Sequence, residues 1–243
     1  MRMTKSISFA TAAAFGTALI AAQAHASTVL TLGSEHTGVY IENYFLGGSD
    51  SLPSDGTGPN LGFGFSNNAT VQKAGDSGST GDGKFENNPS AQSEILYFAA
   101  DNSGGTLNTG SSYVNFAAGF SALSFNYSLS ANSSQFNGTA DVWSGANGSG
   151  TLLGTITLAA TGAGNSCAVR TDAYCNWSSG TWTSAGTAAE SVTFAANTAT
   201  YYADDMEVDG LAVTPVPLPA AAWLLLSGAA GLAGFARKAR RAA

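Results

Sequence analysis

The residues best equipped for chemistry are few, and they cluster late in the chain. Cys167 and Cys175 are the only cysteines, both inside Ser166–Asn176. In an oxidising compartment two such thiols pair, and closing so small a ring stabilises by roughly 2.5 kcal/mol on the chain-entropy estimate. A metal site there would need further ligands, and His36 lies far away in sequence. Asp204 and Asp205 are the strongest metal candidates, because adjacent carboxylates offer the hard oxygen that calcium takes. Glu35 or Glu42, from the opening strands, would complete such a site if the two ends of the domain lie side by side. Plain surface charge is the competing reading of those acids. Asp76 and Asp82 fit no calcium-loop spacing. Tyr174, Trp177 and Trp182 surround the cysteine segment; they offer a stacking platform for sugar rings, or else they plug one end of the domain.

Covalent catalysis has little to work with. A Ser-His-Asp arrangement would have to use His36, which stands in no G-x-S-x-G context. Sixteen acids leave room for a carboxylate pair of the glycosidase kind, yet no spacing marks a pair out. The expectation is therefore a protein that is not an enzyme.

The elements that position these residues read as strands. Leu123, Phe125, Tyr127 and Leu129 alternate with Ser124, Asn126 and Ser128, a period of two over Ala122–Ser130. Thr139–Trp143 places Ala140 and Val142 on one face, turns at 144–148, and returns as Thr151–Ala159. Ser191–Ala195 and Met206–Val213 are further candidates, as are Val29–Leu32, Gly38–Leu46, Leu61–Phe65, Ile95–Ala99 and Tyr113–Ala117. Gly75–Pro89 reads as a long surface loop. No stretch between the two ends keeps a 3.6-residue period, so an all-β, antiparallel β-sandwich is expected.

The two ends have a different character. Met1–Lys5 is basic, Ile7–Ala22 is an uncharged run of apolar and small residues, and Ala24 and Ala26 stand at −3 and −1 of a cut before Ser27. That order is a secretory signal peptide over 1–26. At the other end, Val216–Ala236 is an uncharged, largely apolar run of 21 residues, about 30 Å as a helix and long enough to span a bilayer. Arg237, Lys238, Arg240 and Arg241 follow at once, which by the positive-inside rule places the body of the protein outside. The body, Ser27–Thr214, carries three cations and all sixteen acids, a formal charge of −13. So acidic a domain is not expected to bind nucleic acid through phosphates.

Val216-Pro217-Leu218-Pro219-Ala220, the apolar segment and the arginine-rich end together resemble the PEP-CTERM class of sorting tails, in its VPLPA form, over 215–243. Leu218 departs from the commonest form, which has Glu there. The resemblance implies an exosortase as partner, passage through the inner membrane as an anchored intermediate, and a final place at the cell surface or in an extracellular matrix beside exopolysaccharide. The hairpin from Asp141-Val142-Trp143 to Leu152-Leu153-Gly154-Thr155-Ile156, with the closing Tyr201-Tyr202-Ala203-Asp204-Asp205, is similar to jelly-roll modules of the galactose-binding-like and carbohydrate-binding kind. It implies a jelly-roll-like sandwich over 27–214 and a structural calcium near the last strand. The leading expectation is a non-enzymatic, exopolysaccharide-associated surface or biofilm protein. A carbohydrate-binding module is the alternative, and a glycan-active hydrolase comes third.

Overall fold

The computed structural model describes residues 26–32, 38–52, 56–73, 85–98, 112–129, 137–161, 175–197 and 206–216. Among them the chain is all-β. Ten strands appear: β1 (Thr28–Val29), β2 (Phe63–Phe65), β3 (Ala69–Lys73), β4 (Glu94–Phe98), β5 (Ser112–Leu129), β6 (Asn137–Gly145), β7 (Ser149–Leu158), β8 (Ser178–Thr183), β9 (Ala189–Asn197) and β10 (Met206–Pro215). Every pairing between them is antiparallel. The main path runs β3-β4-β10-β5-β9-β6-β7, with β1 on β10 and both β2 and β8 on β5.

The 18-residue β5 organises the fold. Its first half pairs with β9 and β2, and its second half with β10 and β8. Val114 and Phe116 are buried in the first half; Leu123, Phe125, Tyr127 and Leu129 are buried in the second. The inward parity thus changes from even to odd, and the register with β9 slips between Asn115 and Phe120, where Gly119 takes a φ of 69°. An irregularity of this kind bends a strand and re-aims its side chains. The sheet accordingly has two arms, β7-β6-β9-β5 and β3-β4-β10-β5.

These arms face each other. The Phe194 ring of β9 lies 5.1 Å from Phe98 of β4 and 5.4 Å from Phe125 of β5, the latter edge-on. Ala140, Val142, Met206 and Val208 join the same core. At one side Trp182 of β8 packs edge-on to Phe120, ring centroids 5.8 Å apart. Its indole covers Gly154 of β7, where an added Cβ would come within 2.6 Å of the indole nitrogen. Only a glycine admits so close an approach.

Several elements differ from the sequence reading. Gly38–Leu46 is a chain of turns, not a strand: Tyr44 and Leu46 donate backbone bonds to Ile41 and Asn43, and Gly38, Glu42 and Gly47 hold positive φ. The two strands expected over Tyr113–Ala117 and Ala122–Ser130 are one continuous strand as far as Leu129; Ser130 lies outside the described residues. Of the loop expected over Gly75–Pro89, residues 75–84 lie outside the described residues, while Phe85 is fully buried and packs with Ile95 and the half-buried Trp177 in a second, small apolar cluster. No helix among the described residues is long and apolar enough to cross a membrane. The signal segment through Ala24 and the tail from Pro217 onward, including Leu218, Pro219, Ala220, Arg237, Lys238, Arg240 and Arg241, lie outside the described residues.

The outer face of the β3-β4-β10-β5 arm is roofed. Thr70, Tyr97, Glu207 and Ser128 form one row across four strands and are all buried. Beside them the Asp209 carboxylate accepts bonds from the Ser90 backbone N–H at 2.8 Å, from the Ser90 hydroxyl, and from Asn88 Nδ2 at 3.3 Å. Asn88 also donates to the Gln92 carbonyl at 3.0 Å, which closes the turn that Asp209 anchors. These donors offset the desolvation of the buried Asp209 carboxylate.

Candidate functional site

The sites expected from sequence lie in part outside the described residues. Ala26 and Ser27 are exposed, and the Ser27 hydroxyl donates to the Val213 carbonyl at 3.3 Å beside β1. Val216 donates its backbone N–H to Gly119 at 3.2 Å. Cys175 is buried and is not a free thiol; Cys167 lies outside the described residues. Of the calcium candidates, Asp204, Asp205 and Glu35 lie outside them too, while Glu42 is exposed on a turn. Among the described residues no group of three or more His, Cys, Asp or Glu gathers to hold a metal.

Trp177 and Trp182 are not brought together as one platform. They stand five residues apart along an extended run, about 17 Å. The Trp177 indole N–H donates to the Glu86 carbonyl at 2.8 Å and its ring meets Phe85 edge-on at 6.3 Å. Trp182 wedges between Phe120 and Gly154, as above. Both are half-buried packing residues; Tyr174 lies outside the described residues. Beside Trp182 a shallow groove of about 210 Å³ is lined by Ser27, Ser124, Thr181, Thr183 and Thr214.

A more coherent surface lies on the other arm. Because Ala140 and Val142 face the core, the pleat of β6 sends Thr139, Asp141 and Trp143 outward. Pairing then sets Tyr113, Thr193, Asp141 and Thr155 in one row across β5, β9, β6 and β7. Asn115, Ser191, Trp143 and Leu152 make the adjacent row. Side chains directly opposed in such rows stand about 5 Å apart. Thr155 and Leu152 are exposed, and Tyr113, Asn115, Asp141 and Trp143 are partly so.

Hydrogen bonds fix the orientation of this surface. Trp143 Nε1 donates to Thr193 Oγ1 at 3.0 Å, so the indole lies across β9. Thr155 Oγ1 donates to Asp141 Oδ1 at 2.6 Å and holds the carboxylate in place. The turn joining β6 to β7 is clamped to β5: Asn115 Nδ2 donates to Asn147 Oδ1 at 2.7 Å, and the Asn147 backbone N–H returns a bond to Asn115 Oδ1 at 2.8 Å. Gly148 donates its N–H to Ser191 Oγ at 3.0 Å, and Ser191 donates onward to the Gly145 carbonyl at 2.5 Å. Gly148 holds a φ of 67° and lies against Thr193, where a Cβ would come within 2.5 Å of the methyl group. The result is a partly open sheet face with two half-buried aromatic rings, a pinned carboxylate and the exposed Thr155, laid over the buried Thr193 and Ser191 and beside a fastened turn. Sequence reading did not name this site, although the alternation around Ala140 and Val142 already implied that Asp141 and Trp143 share the opposite face.

No protein-family model matches the chain, and no curated protein matches it. Solved structures do. The K3 cleaved adhesin domain of Lys-gingipain from Porphyromonas gingivalis w83 matches at 18% identity and a TM-score of 0.37, over 60% of this chain and 91% of that one. The K2 cleaved adhesin domain of Lys-gingipain matches at 12% identity and 0.41, over 79% and 99%. The CBM22-1–GH10 portion of Clostridium thermocellum xylanase 10B, in complex with xylohexaose, matches at 11% identity and 0.29, over 64% and 26%. Scores of this size establish no shared fold, so the role of this chain is reasoned from its own residues.

Proposed function

We propose that this chain is an exported, non-enzymatic protein of the cell surface or extracellular matrix, and that its β domain holds polysaccharide on the open face around Trp143. The supporting observation is the pair of rows just described. Exposed aromatic rings stack on the apolar faces of sugars, and fixed hydroxyl, amide and carboxylate groups take up sugar hydroxyls. A flat face also suits a polymer, which needs no enclosing cavity. In this reading the two facing arms form a jelly-roll-like sandwich, and Cys167 pairs with Cys175. An exosortase reads the tail from Val216, and the inner membrane holds the chain only in passage.

The test is a pull-down of the purified exported protein with insoluble matrix polysaccharides, followed by titration with oligosaccharides from any polymer that retains it. Trp143→Ala should weaken binding by roughly fivefold to 150-fold while leaving thermal unfolding cooperative, because stacking on a central aromatic ring contributes about 1–3 kcal/mol. Retention of the Trp143→Ala protein on the same polymers, equal to that of the parent, removes this reading. Export is tested separately: a reporter fused after Ala118 must score as extracytoplasmic.

A further inference from the structure

The charge pattern of the Trp143 face points to the kind of polymer it holds. In β6, β7, β9 and the first half of β5 the charged residues are Asp141 and Glu190, and neither is a cation. Asp141 stands in the middle of the aromatic face, between Thr155 and Thr193 in its row and two residues from Trp143. One of its oxygens accepts the Thr155 hydroxyl; the other takes no bond from a described residue and faces the partly open surface. Tyr113, at the far end of the row, brings a phenol to the same face.

A carboxylate pinned in this way is a directed acceptor. A protonated amine offers it a charge-assisted bond, about twice as strong as one from a neutral hydroxyl. The neighbouring indole reinforces the preference, since a cation near its face is attracted by the ring quadrupole. A uronate or sulfated sugar would instead set a second negative charge against Asp141, with no cation among the described residues of the face to offset it. The acidity of the whole body, −13 between Ser27 and Thr214, adds a long-range term of the same sign.

We infer that the Trp143 face selects polysaccharide bearing free amino groups and excludes polyuronates, with Asp141 as the residue that sets the specificity. The inference rests on the reading of this face as a polysaccharide site and goes further by naming the substrate class.

The experiment titrates the exported protein with three oligosaccharides of matched length: a glucosamine oligomer with free amines, the same oligomer fully N-acetylated, and an oligouronate. The amine form should bind about tenfold more tightly than its acetylated twin, and the oligouronate should not bind. Asp141→Asn keeps the shape of the side chain and an oxygen for Thr155, and it should erase the difference between the first two ligands while leaving acetylated-oligomer binding in place. If Asp141→Asn retains the preference, overall charge rather than this carboxylate is responsible, and the inference fails. Equal binding of the amine and acetylated forms by the parent also overturns it. Trp143→Ala separates the two levels: unchanged binding of all ligands removes the site itself, whereas loss of binding with no amine preference removes only the specificity.

Discussion

The two arms of the sheet carry similar polar rows on their outer faces and treat them in opposite ways. On the β3-β4-β10-β5 arm, Thr70, Tyr97, Glu207 and Ser128 lie under a second layer, with Asp209 anchoring the turn at Asn88–Gln92. On the β7-β6-β9-β5 arm, Tyr113, Asp141 and Thr155 reach solvent. The same residue chemistry therefore serves construction on one arm and is free to meet a ligand on the other. What separates them is cover: on the roofed arm the buried Asp209 carboxylate is held by donors from Ser90 and Asn88, while Asp141 on the other arm reaches the surface.

Four changes break or sharpen that contrast. Phe194→Ala strikes the core common to both arms and should cost about 3–5 kcal/mol, read as a fall in the urea midpoint that also lowers binding through loss of folded protein. Asp209→Ala strips three donors of their acceptor on the roofed face and should cost about 2–3 kcal/mol; polysaccharide affinity of the remaining folded fraction should be unchanged. If affinity falls in step, the two faces are not independent. Asn115→Ala releases the turn between β6 and β7 at about 1 kcal/mol of stability, and amide exchange should quicken at Asn147 while the core amides keep their protection. Thr155→Ala is the mildest, within about 0.5–1 kcal/mol of the parent in stability, yet it should weaken oligosaccharide binding measurably by letting the Asp141 carboxylate swing. An affinity identical to the parent's would show that its fixed orientation is immaterial.

Where side chains alternate, the sequence revealed the fold directly. The second half of β5 and the β6–β7 hairpin were legible because apolar and polar side chains alternate along them. β3 escaped although Ala69-Thr70-Val71-Gln72 alternates, because the run is only five residues long and its apolar members, Ala69 and Val71, are small. β8, Ser-Ser-Gly-Thr-Trp-Thr, escaped because hydroxyl residues and a glycine outweigh its single ring. Trp177 and Trp182 attracted attention as aromatic residues, but their packing partners Phe85, Phe120 and Gly154 lie between 28 and 92 residues away in sequence, beyond any local pattern. The same holds for the choice between roofed and open faces. The bond from Ser90 to Asp209 spans 119 residues, and nothing near either residue announces it.

The placing of β10 has a mechanical consequence. The strand is bonded along one edge to β4 and β1 and along the other to β5, and it is the last strand before Val216. Tension applied to the chain beyond that point along the line of β10 loads both ladders in shear. Its hydrogen bonds then resist together instead of opening one after another, as they would at the free end of a hairpin. A body gripped from its C-terminal side is thus built to hold under traction.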